Sequence, residues 1–468
     1  MTTTPTPTTN PIPFPRRKYK GSDRLPRQDA ASSGPIGWVV VGSLATGLVA
    51  AFLLVAARFI PAEENDMVGA VLCGFALGWV MLAVLSARFT DQPQRWAAAP
   101  ALFMGLGGLL LLGFGSSVRE ALSWVWPPAL LVLVIWMIVR ARRHLHSWSR
   151  RWLLYPVMVM LVVASVGGGY ETVSAATDTE LSMPGQLINV GGGHRLHLHC
   201  TGSGSPTVVL QPGGGEMSSN MGWIAPAVAR DTRVCVYDRA GRGWSEPADT
   251  TQDATQIAID LHALLRRGDV PGPYVLAGHS FGGLYTLTFA ARYPEQVAGM
   301  VLVDTTAPAS EPVTATPDDA GSYDLMSRVS ILVSTSARLG LTRLYSPLEF
   351  GSLPPQPRDE VRASIATGSN LRSTIDEYLA ANASTGQAAS LTNFGDKPLV
   401  VLTAGIGSDN ADLAAHNALA TLSTNSVHRV VDGATHSALI SEERDSAATT
   451  QGILDVVSSV RNAAPLAR

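Results

Sequence analysis

The chain has 468 residues, 46% of them hydrophobic and only 15% charged, well below the roughly 25% charged residues usual in soluble globular proteins. Its length allows two or three domains; the apolar content excludes a chain disordered throughout, and three cysteines exclude a disulfide-dense scaffold. The net charge of −3 hides a division: residues 1–170 hold 15 Lys and Arg against 7 Asp and Glu, and the remainder hold 19 against 30. Such asymmetry points to two different solvents, and the acidic second part lacks the basic stripe a nucleic-acid partner would need.

Residues 1–35 are rich in Thr and Pro and then basic (Arg16, Arg17, Lys18, Lys20, Arg24, Arg27), which reads as a disordered cytoplasmic tail. Five uncharged apolar stretches follow, near 36–57, 67–87, 97–118, 121–139 and 152–170. Each approaches the roughly 20 residues a helix needs to cross a bilayer, so residues 36–170 are expected to form five transmembrane helices. A cleaved signal peptide would show one short apolar run, not five in series. With the tail inside, Arg88, Arg95, Arg140, Arg142, Arg143, Arg150 and Arg151 also fall inside, and only Arg58 and Arg119 fall outside. This positive-inside pattern puts everything after about residue 170 outside the cytoplasm. Trp96, Trp124 and Trp152 lie near span ends, where interfacial anchors belong. None of the spans contains Asp, Glu, Lys, Arg or His, so they read as an anchor in the cell membrane rather than a transport path. Gly74 and Gly78 form a GxxxG pair, either a helix-contact face or a coincidence in a Gly-rich segment.

Residues 171–468 form a second domain in which short apolar runs alternate with helical patterns. A hairpin is expected at 185–201, turning at Gly191–Gly193, then strands at 206–213, 233–239, 274–280, 297–304, 397–405 and 427–433. Helices are expected near 221–230, 253–267, 281–293, 409–421 and 444–462. Continuous apolar strands alternating with helices predict an α/β fold, a mostly parallel sheet covered on both faces. Residues 307–395 break the rhythm with Pro clusters and helical stretches at 327–344 and 358–381, and read as a helical cap insertion.

Gly278-His279-Ser280-Phe281-Gly282 is a G-x-S-x-G between an apolar strand and a helix rich in small residues. A nucleophile on a sharp strand-to-helix turn needs Gly on both sides, and the helix start offers N–H groups to a developing oxyanion. A serine hydroxyl needs a base and a carboxylate that orients it. His436, in the loop after the last strand, suits the base better than His428 within that strand or His416 in the helix before it. Two acids compete: Asp409, after strand 397–405, and Asp304, which ends VLVD one strand earlier. Asp409 is the favoured reading, with Asp304 the alternative. The glycines of Gln211-Pro212-Gly213-Gly214-Gly215 suit a second oxyanion donor, so Gly214 and Phe281 are expected to supply the N–H groups.

Tyr237-Asp238-Arg239-Ala240-Gly241-Arg242-Gly243-Trp244-Ser245, the elbow Gly278–Gly283 and Arg292-Tyr293-Pro294 resemble the corresponding segments of the α/β-hydrolase superfamily, among its esterase- and proline-iminopeptidase-like members. The resemblance covers about 185–462 and none of the spans. It implies an eight-stranded, mostly parallel sheet with a helical cap. Pro212-Gly213 stands where the superfamily usually has His-Gly. The expected activity is cleavage of an ester, or an amide, by a membrane-anchored serine hydrolase acting on a small-molecule or lipid acyl substrate. The alternatives are a proline-iminopeptidase-type aminopeptidase and a catalytically silent binding or sensor module on the same fold. No metal-ligand cluster or dinucleotide motif is legible, so no metal or other cofactor is expected. In the sheet that this resemblance implies, the second strand, ending at Cys200, lies beside the fourth, which holds Cys235. A Cys200–Cys235 bridge is therefore expected, with two buried free thiols as the alternative.

Overall fold

A computed structural model describes residues 36–144 and 154–467 together with Thr2, except 62, 179–180, 249, 309–325, 327, 341 and 344–349. The basic tail, Arg150, Arg151, Trp152 and the first part of the cap insertion lie outside the described residues. Five helices long and apolar enough to span a membrane come first: α1 (Ile36–Ala56), α2 (Glu64–Phe89), α3 (Ala98–Phe114), α4 (Ser116–His144) and α5 (Tyr155–Asp178). The Gly74/Gly78 pair is a contact face. A Cβ on Gly74 would fall 2.3 Å from the Ala51 nitrogen, and one on Gly78 would fall 2.7 Å from the Ser43 carbonyl of α1. Helix α4 continues through Pro127 and Pro128, which lack the N–H that earlier carbonyls require. The Thr172 hydroxyl of α5 lies 3.2 Å from the Ser123 carbonyl and supplies the bond that Pro127 cannot. Helix α5 runs past residue 170 to Asp178 and carries Glu171 on its way out.

The second part builds one eight-stranded sheet from β1 (Gln186–Gly191), β2 (His194–Thr201), β3 (Thr207–Gln211), β4 (Val234–Tyr237), β5 (Tyr274–His279), β6 (Val297–Val303), β7 (Leu399–Ala404) and β8 (Ser426–Val431). Their order is β1-β2-β4-β3-β5-β6-β7-β8; β2 runs antiparallel to both its neighbours and the other pairings are parallel. Strands β3, β4, β5 and β7 are buried along their whole length, as expected for a sheet covered on both faces. Alternate side chains divide two cores. Val209, Leu276, Leu302 and Val401 face α7 (Ala254–Arg267) and α8 (Phe281–Arg292). Val208, Val275, Val301 and Val400 face α6 (Ile224–Val228) and the final helix (Glu443–Asn462). The register sets Cys200 opposite Cys235, and a disulfide joins them.

The described part of the cap holds a helix over 328–335 (α9), then α10 (Pro355–Ile365), α11 (Gly368–Leu379) and α12 (Ala381–Ala388). The expected continuous helix at 358–381 is broken at Ala366–Thr367, because the Thr367 hydroxyl caps a new helix by accepting from Asn370 N–H at 3.2 Å. Residues 328–339 and Arg343 are fastened to the five apolar helices. Arg328 Nη1 donates to the carbonyls of Val55, in the last turn of α1, and of Ala57 and Ile60 just beyond it. Arg338 pairs with Glu64 of α2, and Arg343 Nε lies 2.8 Å from Glu171 of α5. Ile331 is buried with Val55, Ile60 and Met67.

Candidate active site

Ser280 sits between β5 and α8 at φ 52°, ψ −123°, a strained conformation for a residue with a side chain. The turn closes because its neighbours are glycines: a Cβ on Gly282 would lie 2.2 Å from the Gln211 carbonyl. The Ser280 N–H donates to the Val303 carbonyl at 3.0 Å, so the serine stands beside the end of β6, where Asp304 follows at once. In the first turn of α8, which begins directly after Ser280, the Gly283 N–H donates to the Ser280 carbonyl at 3.0 Å.

The structure brings Asp304, not Asp409, to His436. Asp304 Oδ1 accepts from Ala404 N–H at 3.0 Å, and Oδ2 lies 2.5 Å from His436 Nδ1. Burial raises the Asp304 pKa, but the His436 hydrogen bond, the Ala404 N–H and the charges of His436 and His416 outweigh it and hold the carboxyl below its ordinary value. Asp409 is exposed and caps the helix Asn410–Ala420, where its carboxylate accepts from Ala411 and Asp412 N–H at 2.7 and 3.0 Å. The carboxylate of Asp412 returns a bond to Asp409 N–H. This reciprocal capping was legible, since an acid three residues after Asp at a helix start is an N-terminal signature. The other histidines are committed elsewhere. Thr403 Oγ1 lies 2.6 Å from His416 Nδ1 and 2.7 Å from His428 Nε2, and His416 Nε2 contacts the Thr305 carbonyl.

Two buried ionic groups that sequence reasoning did not single out lie beneath the site. His279 Nε2 contacts the His436 carbonyl and its Nδ1 faces Glu216 Oε2, each at 3.1 Å. The His279 and His436 rings stand 4.5 Å apart. Burial lowers the His279 pKa, but the Glu216 carboxylate outweighs it and holds the imidazole above its usual value. Burial raises that of Glu216, and His279 together with Gly213 N–H brings it below its usual value.

The second group fixes the loop 212–215. Arg239 donates to the carbonyls of Pro212 and Gly213 at 2.8 and 2.6 Å. Glu377, from cap helix α11, pairs with Arg239 at 2.6 Å and Arg242 at 2.8 Å and accepts from Gly215 N–H at 3.1 Å. Burial opposes ionisation of Glu377, yet the two guanidinium groups keep its pKa below the ordinary value. With Gly213 N–H bonded to Glu216 and Gly215 N–H to Glu377, Gly214 is the intervening residue, packed against the Phe281 ring. Tyr378 of the cap covers Phe281 with ring centroids 5.2 Å apart. No group of three or more metal-ligating side chains occurs among the described residues.

A family model described as alpha/beta hydrolase fold matches residues 206–443. The chain belongs to the α/β-hydrolase family. An uncharacterized protein of Schizosaccharomyces pombe is 33% identical over 208 residues, 38% of this chain and 37% of that protein. The 2-hydroxymuconate semialdehyde hydrolase of Pseudomonas sp. strain CF600 is 31% identical over 143 residues, 29% of this chain and 48% of the enzyme. A thermophilic esterase from Thermogutta terrifontis superposes with a TM-score of 0.43 at 21% identity, covering 59% of this chain and 99% of the esterase. The chain spans less than half the length of these curated relatives. Within the α/β-hydrolase family, the matched segment contains Ser280, Asp304 and His436 and excludes the five apolar helices.

Proposed function

We propose that the protein is a membrane-anchored serine hydrolase that cleaves carboxylic esters of small-molecule or lipid acyl substrates outside the cytoplasm. The observation that carries this reading is the Asp304–His436 contact at 2.5 Å beside the Ser280 turn. With Nδ1 held by Asp304, the Nε2 of His436 is the nitrogen left to take the Ser280 proton. Ser280 Oγ attacks the acyl carbonyl, and the Gly214 and Phe281 N–H groups stabilise the oxyanion. Asp304 stabilises the imidazolium, which protonates the leaving alkoxide; His436 then takes a proton from water as it attacks the acyl carbon and returns it to Ser280 Oγ as the acyl–Oγ bond breaks and the carboxylic acid leaves. Both carboxylates bonded to the oxyanion loop already have side-chain partners, Glu216 in His279 and Glu377 in Arg239 and Arg242, which favours an ester over a substrate that needs a free acid to bind an amine.

The anchor reading is supported by five apolar helices. The extracytoplasmic reading is supported by loop charge and by a disulfide, a bond that persists in oxidising compartments. Purified full-length protein should hydrolyse p-nitrophenyl esters of graded chain length faster than aminoacyl anilides. Turnover of the anilides alone would replace the esterase reading with a peptidase one. Protease added outside intact cells with a permeable outer barrier should digest the domain after residue 178 and spare the basic tail; digestion of the tail alone would reverse the orientation.

A further inference from the structure

Helices α4 and α5 and cap segment 328–339 line an open-sided cavity of about 810 Å³, within the roughly 300–1,000 Å³ of small-ligand sites. We propose that this cavity holds one acyl chain of a bilayer phospholipid, wedged between the spans and the cap. The proposal rests on the membrane reading above and not on the serine chemistry.

Three observations carry it. First, the cavity is graded in polarity. Glu120, Glu171 and Arg338 stand at one end, and Leu130, Pro127 and Ala164 line the other. Ala164 is seven residues before Glu171 on α5, a separation of about 10 Å along a helix, and Leu130 is ten residues beyond Glu120 on α4, about 15 Å. The half-thickness of a bilayer's hydrocarbon is also about 15 Å. The cavity therefore runs from the polar boundary to hydrocarbon depth, and its polarity changes as that of a phospholipid does from headgroup to chain. Water is a poor tenant for the deep end, which offers few polar partners.

Second, the cap sits down among the spans. The Leu339 carbonyl would lie 2.0 Å from a Cβ on Gly167, halfway along α5, and Leu332 and Leu339 close one wall of the cavity. Third, α9 buries Ile331 against the spans while Val329 and Val333, four residues apart, are exposed on another face. An apolar strip at that level continues the apolar surface of the spans, and lipid chains are the solvent that would cover it.

The test uses full-length protein in phosphatidylcholine vesicles doped with a phosphatidylcholine that carries a diazirine near the end of one acyl chain. After illumination, adducts are mapped by mass spectrometry. They should concentrate on α4, α5 and 328–339, well above those on Phe52 and Leu53, which α1 exposes outward. Gly168 lines the cavity with no atom closer than 3.6 Å to an added Cβ, so Gly168→Trp can fill the space. It should lower the cavity adducts about tenfold, the effect of ~1.4 kcal/mol, and leave those on α1 unchanged. Ala164→Trp should act alike, with the thermal midpoint of each variant checking the fold. Adducts spread evenly over the outward faces in the wild-type protein, or undiminished in the variants, would overturn the proposal. Absence of adducts on α1 as well would overturn the membrane reading itself and the proposal with it.

Discussion

Glu377 and Arg239 meet at 2.6 Å across 138 residues of chain, joining the cap to the loop that presents Gly214. The same carboxylate holds Arg242 and Gly215 N–H, so one buried anion ties three elements. Glu377→Gln would leave two buried guanidinium groups short of their counterion. Breaking a buried ion pair costs about 3–5 kcal/mol, so the thermal midpoint should drop by several degrees and esterase turnover should fall with it. An unchanged midpoint would remove Glu377 from this role.

Asp304→Asn should lower kcat by about 10⁴-fold with the fold retained, the loss expected when the acid of a serine triad is amidated. Asp409→Ala should cost about 0.5–2 kcal/mol of stability as a lost helix cap, with kcat within a few fold of wild type. Steady-state kinetics on both variants separates them, and a large kcat loss confined to the Asp409 variant would exchange the roles.

The pair beneath the site makes stability depend on pH. His279 has a folded pKa raised above its unfolded value of about 6.5. Its contribution is therefore fully present below about 6.5 and is lost as pH rises through the folded value. Glu216 is depressed, so its contribution is present above its unfolded value of about 4.3 and is lost as pH falls through the folded one. Thermal midpoints of the wild-type protein should decline as pH rises above about 6.5, and Glu216→Gln should flatten that decline.

Thiol titration of the denatured, unreduced chain should find one free thiol, Cys73, and three after reduction. The Cys200–Cys235 bridge should add about 2–4 kcal/mol of stability. Three thiols before reduction would remove both the bridge and its support for an extracytoplasmic domain.

The five long apolar helices, the sheet and the strand-to-helix turn at Ser280 were legible because each rests on local pattern. Uncharged runs of span length became α1–α5, and continuous apolar runs became buried parallel strands. Turn chemistry put Ser280 between β5 and α8, and order along the chain put His436 in the loop after β8, where the structure has them. The carboxylate that meets His436 was harder, since both candidates follow strands. What separates them is distance from the strand end: Asp304 follows β6 directly, whereas Asp409 lies five residues past β7 and is consumed by its helix. Glu377 was not legible at all. Its partners are 135 and 138 residues away, and nothing in the α11 sequence separates a buried counterion from a solvated face.

If Ser280 is a nucleophile activated by His436 and Asp304, a fluorophosphonate probe should react with the full-length protein at that residue, which mass spectrometry identifies. Wild-type protein should be labelled on Ser280, Ser280→Ala should lose the label, and His436→Ala should slow labelling by orders of magnitude. Labelling that persists in Ser280→Ala, or a wild-type protein that does not react, would contradict the claim.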